Sequence, residues 1–272
     1  MLLREVEYAR AATVADAVRL LSSRENARAL AGGQSLVNVM KVRVAAPDVV
    51  VDLGAVPELR EIREAADGSL EIGAMVTYDE IVRSGDVLAA RPILGEVALT
   101  IADVQVRNRG TIGGNVCSND PTNHFPPLVV ALGATMTIRS LETERTVSAE
   151  EFFEGVYMTA VHPGELLTKA TIPARRPGQG DGWASTTLGK DGTGIVNVAA
   201  TVHDGNARVA IGCVAATPVV LTAAADEVAL RDAVRSAGLD PPSDVHASAG
   251  YRRHLAEVLA VRAARQAMES QT

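Results

Sequence analysis

The sequence predicts an α+β protein, and three observations carry that expectation. Short apolar strand segments alternate with short, capped helices. A stretch rich in Pro and Gly at 173–182 divides the chain. Beyond it, two paired strands are followed by two helices. Taken in order, Thr13-Val14-Ala15-Asp16 reads as a capping box, with Val14, Ala17, Val18 and Leu21 at helical spacing, and predicts a helix over 13–22. Ala29-Leu30 is a strand running into the turn Gly32-Gly33, and Val49–Leu53 is a short buried strand. Leu70–Gly73 alternates as another strand, and Thr77-Tyr78-Asp79-Glu80 is a second capping box opening a short helix. Residues 92–101 read as helix, 109–115 as a glycine loop, 121–127 as an ordered loop, and 135–139 and 165–173 as strands. The stretch from Pro173 to Gly182 reads as a boundary or exposed loop. Past it, 193–202 and 207–214 pair around His203-Asp204-Gly205-Asn206, and helices follow near 222–237 and 250–269.

Composition narrows the function. Of 272 residues, 47% are hydrophobic and 22% charged, which is globular rather than disordered. Only 3% are aromatic and the net charge is −7, so neither a stacking groove nor a basic face for nucleic acid is expected. Two cysteines, Cys117 and Cys213, lie far apart, and five histidines show no ligand spacing. An iron–sulfur cluster or a structural zinc needs about four ligands, so neither is expected on this chain. Charges at Arg4, Glu5 and Glu7 interrupt any signal-peptide core, and no apolar run reaches a membrane span. The expected address is cytoplasmic.

Chemistry concentrates in two glycine motifs, Ala31-Gly32-Gly33-Gln34-Ser35-Leu36 and Gly110-Thr111-Ile112-Gly113-Gly114-Asn115. Paired glycines let consecutive backbone N–H groups turn onto an anion, and Ser35, Thr111 and Asn115 add side-chain donors. Gly113 and Gly114 are expected to present N–H groups to a phosphate, at least one with positive φ. Either pair alone is more readily an ordinary turn, and it is two motifs of the same type in one chain that favour the anion site. There is no GxGxxG opening a βα unit, and Gly189-Lys190 is followed by Asp191, so a Rossmann site and a P-loop are both disfavoured.

Together these residues resemble the flavoprotein (medium) subunit of molybdenum hydroxylases of the carbon monoxide and xanthine dehydrogenase type. Ala31–Leu36 with Met40-Lys41 and Asp52-Leu53 resembles one signature, and Thr111–Asn115 with Asp120-Pro121 resembles the second, about 80 residues on. The resemblance extends through Gly164–Leu167 and Ile172-Pro173 to Tyr251-Arg252-Arg253-His254-Leu255. It implies the two-subdomain FAD-binding fold of the vanillyl-alcohol oxidase type, with subdomains at 1–55 and 56–175, plus a C-terminal α+β domain at 176–272. It implies FAD, bound through Ala31, Gly32, Gly33, Gln34, Ser35, Leu36, Thr111, Ile112, Gly113, Gly114, Asn115, Asp120, His124, Leu166 and Lys190, with no metal and no catalytic residue on this chain. It implies a molybdopterin-binding large subunit and a small subunit with two [2Fe–2S] clusters as partners, and electron flow through FAD to an external acceptor.

Two positions depart from that pattern. His124 stands where many members carry an Asp toward the ribityl chain. Thr187 stands where some carry a Lys near the flavin ring, with Lys190 as the expected substitute. Each singled-out residue also has a plainer reading: His124 as a loop histidine, Cys117 as a buried small residue rather than a redox thiol, and Glu142, Glu144, Glu150, Glu151 and Glu154 as a solvated face. Arg252, Arg253, Arg262 and Arg265 face water or acidic partners, and Trp183 is too isolated to read. A free-standing flavin oxidase and a non-catalytic flavin-binding module of the same fold are the alternative functions.

Overall fold

Three larger sheets, each with its own helices, follow one another along the chain, with one two-stranded sheet beside them, in a computed structural model that describes residues 2–189 and 192–271. The first is parallel, with strand order β1-β3-β2. It is built from β1 (Glu7–Arg10), α1 (Val14–Ser22), β2 (Ala27–Leu30), α2 (Leu36–Lys41) and β3 (Val49–Asp52). The central strand reads Val-Val-Val because it is covered on both faces. Thr13 caps α1 by accepting the Asp16 N–H, but the Asp16 carboxylate accepts from Ala12 rather than from Thr13, so the expected box is displaced by one residue.

The second sheet is antiparallel, with order β4-β5-β10-β6-β7. Between β4 (Ile62–Glu64), β5 (Leu70–Gly73) and β6 (Thr135–Arg139) run α3 (Tyr78–Arg83), α4 (Gly85–Ala90), α5 (Pro92–Leu99), α6 (Val104–Arg107), α7 (Ile112–Ser118) and α8 (Phe125–Ala131). Then come β7 (Glu144–Ser148), α9 (Ala149–Phe152), the hairpin of β8 (Phe153–Gly155) and β9 (Met158–Thr159), and β10 (Leu166–Ile172). The segment expected as an ordered loop at 121–127 enters α8 at Phe125. Pro126 and Pro127 occupy the first turn, where a missing N–H costs nothing, and every residue of this helix is buried. Met75 and Leu166 from this unit pack into the core of the first sheet, joining the two.

The third sheet is an antiparallel meander of β11 (Gly180–Leu188), β12 (Thr193–His203), β13 (Asn206–Gly212) and β14 (Val219–Ala224), backed by α10 (Glu227–Ser236) and α11 (Ala249–Glu269). Residues 222–224, expected to be helical, end β14 instead. Val219-Val220-Leu221-Thr222, β-branched at three of its four residues, pairs with β13, and Asp226 caps the helix that follows. The Pro/Gly-rich stretch is also only partly a loop, since β11 starts at Gly180. A Cβ on Gly180 would lie 1.8 Å from the Ala267 carbonyl oxygen, and one on Gly182 2.0 Å from that of Ala263. These glycines let α11 lie directly on strand backbone.

Arg252, expected to face water or a partner, is 4% exposed. It donates to the Ile195 carbonyl and to Asp244, pinning α11 to the start of β12.

Candidate functional site

The chain leaves β2 and turns at Gly32-Gly33, where Gly33 has φ +75°, the left-handed region that favours glycine. The carbonyls of this turn are occupied. Gly32 O accepts from the Gln34 side chain, Gly33 O from Val37 N–H, Gln34 O from the Asn38 side chain, and Ser35 O from Val39 N–H. Among the described residues no group accepts the N–H of Gly32, Gly33, Gln34, Ser35 or Leu36, and the Ser35 hydroxyl makes no capping bond. Carbonyls occupied and consecutive N–H donors left free suit this turn to an anion.

The second motif is different from what its glycines suggest. It is not a loop but the first turn of α7, capped by Thr111. The Ile112 N–H donates to Val76 O, Gly113 to Ala74 O at 2.9 Å, Gly114 to Thr111 Oγ1 at 3.0 Å, and Asn115 to Thr111 O. Neither Gly113 nor Gly114 has positive φ. The expectation that these two offer N–H groups to a phosphate is therefore corrected: their donors are spent inside the fold. Their smallness serves packing instead. A Cβ on Gly113 would lie 2.5 Å from the Ala74 carbonyl oxygen.

The two motifs nevertheless meet. A Cβ on Gly32 would lie 2.0 Å from the Arg109 carbonyl oxygen, and one on Gly114 3.5 Å from the Ala31 Cβ. The donor-bearing turn thus rests on the backbone leading into α7, and the second motif is its floor.

Beside this floor runs the loop from Asn119 to His124. Asn119, in the left-handed conformation, ends α7 and donates to Gly155 O at 2.6 Å and Met158 O at 3.1 Å. Asp120 accepts from the Thr122 N–H and hydroxyl and from the Tyr157 hydroxyl at 3.0 Å. Burial, with the Asp120 charge beside it, pushes the Tyr157 phenol up. Asn123 donates to Asn115 O at 3.1 Å.

His124 is buried and stacks on Trp183 of β11, ring centroids 5.4 Å apart. Its Nε2, the Asn115 Oδ1, the Trp183 Nε1 and the Asn197 Oδ1 are buried without hydrogen-bond partners. Four such atoms around one loop mark a place built for further polar contacts. Trp183 is too isolated in the sequence to be given a role, and Asn197 carries no signal there at all. Both come from the third sheet, and only strand pairing brings them here.

Burial pushes the His124 imidazole down to about 4. A pKa below the unfolded value of about 6.5 means that the folded form loses relative stability as pH falls from about 6.5 toward 4, by at most about 3 kcal/mol. We expect the melting temperature of the chain to drop over that window more steeply than that of His124→Phe, which keeps the stack and cannot titrate. Parallel curves would show that His124 titrates normally.

Leu166 is 4% exposed and belongs to the core beneath the first sheet. Thr187 lies in β11 beside a register shift opposite Gly194, and Lys190 lies outside the described residues. Burial raises the Cys117 thiol to about 12, which suits a packed side chain rather than a redox thiol. A separate cleft of about 640 Å³, lined by Arg91, Arg176, His203 and Arg208 among others, does not touch either glycine motif.

The family described as the FAD binding domain in molybdopterin dehydrogenase matches residues 4–175. The chain is 39% identical to the carbon monoxide dehydrogenase medium chain of Afipia carboxidovorans, over 96% of both. It is 35% identical to the nicotine 6-hydroxylase medium subunit of Paenarthrobacter nicotinovorans, over 95% of this chain and 96% of that one. Among solved structures it resembles reconstituted CO dehydrogenase from Oligotropha carboxidovorans, with TM-score 0.94 and 36% identity over 99% of this chain and 100% of that one. It also resembles quinoline 2-oxidoreductase from Pseudomonas putida 86, with TM-score 0.90 and 32% identity over 100% of this chain and 99% of that one. With its donor-bearing glycine turn seated on the second glycine motif, this chain belongs to the FAD-binding medium subunits of the molybdenum hydroxylases, a family of oxidoreductase components.

Proposed function

We propose that this chain is the electron-relay subunit of a molybdenum hydroxylase, assembled with a molybdopterin-binding large subunit and an iron–sulfur small subunit. The carrying observation is the acceptor-poor, donor-rich turn from Gly32 to Leu36. About four or five charge-assisted hydrogen bonds, each contributing on the order of 1.5–3 kcal/mol, hold a diphosphate there without an arginine. Thr111, Ile112, Gly113 and Gly114 shape the floor under it. Asp120 holds the neighbouring loop, and Asn115 and His124 beside it carry buried polar atoms without protein partners. Bound FAD supplies chemistry that accepts electrons singly from the partner's clusters and passes them to an external acceptor. The chain's own residues bind, orient and set the polarity around it. With two cysteines, it depends on a partner for any thiolate-held cluster. The medium subunits of relatives named for carbon monoxide, nicotine and glyceraldehyde chemistry all align over nearly the whole chain, so the substrate is set elsewhere in the complex.

The purified chain is expected to bind FAD, to be reduced by an artificial donor such as dithionite, and to oxidise no aldehyde, heterocycle or carbon monoxide. Steady turnover of any of these by the metal-free chain overturns the relay reading in favour of a free-standing oxidase.

A further inference from the structure

Asn197 sits at the inner end of a hydrogen-bonded path that starts on the C-terminal helix. Arg252 of α11, nearly fully buried, donates to the Ile195 carbonyl and fixes the beginning of β12. Two residues along, Asn197 is 0% exposed. Its Nδ2 donates to the carbonyls of both Thr122 (3.2 Å) and Asn123 (3.3 Å). Asn123 in turn donates to the Asn115 carbonyl, inside the second glycine motif.

Space around this contact is closed. A Cβ on Gly194 would lie 2.4 Å from the Asn197 Nδ2 and 2.8 Å from the Thr122 carbonyl oxygen, so β12 presses its backbone onto the loop. The next residue of that loop is His124, held from the other side by the Trp183 ring of β11. The loop from Thr122 to His124 is therefore gripped by two strands of the third sheet, while its far end leans on α7. A side chain with two donor hydrogens suits this grip, because two carbonyl oxygens converge on it. Aspartate, its isostere, offers those oxygens only acceptors unless it is protonated.

We propose that Asn197 is a positioning residue for the cofactor cleft: it holds the Thr122–His124 segment, and through it Asn115 and His124, in the place from which they meet the flavin portion of FAD. This rests on the reading of the glycine turns as the FAD site. It extends that site to the third sheet, and makes the C-terminal unit part of the cofactor's environment rather than an appendage.

The test uses the full chain, with Asn197→Asp and Asn197→Ser compared with wild type and with Thr201→Val, further along the same strand. Three quantities are read: melting temperature, the dissociation constant for FAD, and the emission maximum of Trp183, the only tryptophan in the chain. Asn197→Asp is expected to weaken FAD binding at least tenfold and to shift Trp183 emission to the red as the stack on His124 loosens. Asn197→Ser, which keeps one donor, should fall between it and wild type, and Thr201→Val should move neither readout.

An Asn197→Asp chain with lowered melting temperature but wild-type FAD affinity and Trp183 emission would overturn the proposal and leave Asn197 a structural residue. If Asn197→Asp does not fold, Asn197→Ser carries the same comparison. If wild type itself fails to bind FAD, the cofactor reading fails separately, and the Trp183 shift still decides whether Asn197 positions the loop.

Discussion

Arg91→Ala is expected to destabilise the chain by about 3–5 kcal/mol, which corresponds to a fall in melting temperature of roughly 6–20 °C for a chain of this size. The Arg91 side chain, 2% exposed, donates through Nη1 to both carboxylate oxygens of Asp181 at 2.8 and 2.7 Å. Its Nε and Nη2 donate to the Pro173 carbonyl. It stands at the start of α5 in the second unit, while Asp181 opens β11 in the third, so the pair ties the two together across the Pro/Gly-rich strap. Removing the arginine leaves a buried carboxylate whose remaining partners are few, the Gln179 amide at 3.4 Å and an Arg175 guanidinium at 4.0 Å. The cost is that of an uncompensated buried charge rather than the net worth of the pair. The double replacement Arg91→Met, Asp181→Leu should therefore recover much of the loss. Thermal unfolding of the two variants checks this. A double variant as unstable as Arg91→Ala would show that the pair stabilises by its own attraction.

Gly32→Ala is expected to weaken FAD binding by about one to two decades, with the fold retained. The Cβ it adds would fall 2.0 Å from the Arg109 carbonyl oxygen and 3.0 Å from the Gly110 Cα, and backbone cannot rotate away as a side chain can. Overpacking of this kind costs about 1–3 kcal/mol. Here the strain is relieved by lifting the donor-bearing turn off its floor, so it shows in affinity. Gly114→Ala is the informative control. Its Cβ would meet the Thr111 hydroxyl at 3.0 Å and Ala31 at 3.5 Å, its φ is not positive, and its N–H already serves Thr111, so about threefold or less is expected. Titration of FAD into both variants, with circular dichroism alongside, decides the matter. Equal losses at Gly32 and Gly114 would return the second motif to a direct role in holding the diphosphate.

Several elements were legible because their signals are local. The Thr77 box caps α3 with both reciprocal bonds in place, and the Val49-Val50-Val51 run is the central strand of the first sheet. Helix α11 was readable from Tyr251, Leu255, Val258 and Leu259, of which Leu255 and Leu259 are buried. Other elements misled because one composition serves two structures. Gly180 and Gly182 read as loop residues, yet they are strand residues stripped of side chains so that a helix can rest on them. Pro126 and Pro127 read as loop, yet they begin a buried helix. Val219–Leu221 carries no expected element and Thr222 opens an expected helix, yet all four are strand, a character realised only by pairing with β13.

The sequence by itself determined the α+β class, the two glycine motifs and, through the resemblance they carry, the FAD-binding family. These are short-range patterns, set by turn chemistry, capping and the inability of bulky residues to stand where backbones meet. Only the tertiary structure decided how the labour is divided between the motifs. Backbone N–H groups look alike in a sequence, and whether they are free or spent depends on what lies across from them. In the first turn the carbonyls are occupied and the donors are free, while in the second Val76, Ala74 and Thr111 consume the donors. The same holds for Trp183, Asn197 and Arg252. Their roles arise from partners 50 to 75 positions away, brought near by strand pairing and helix packing, which leave no periodic trace in the chain.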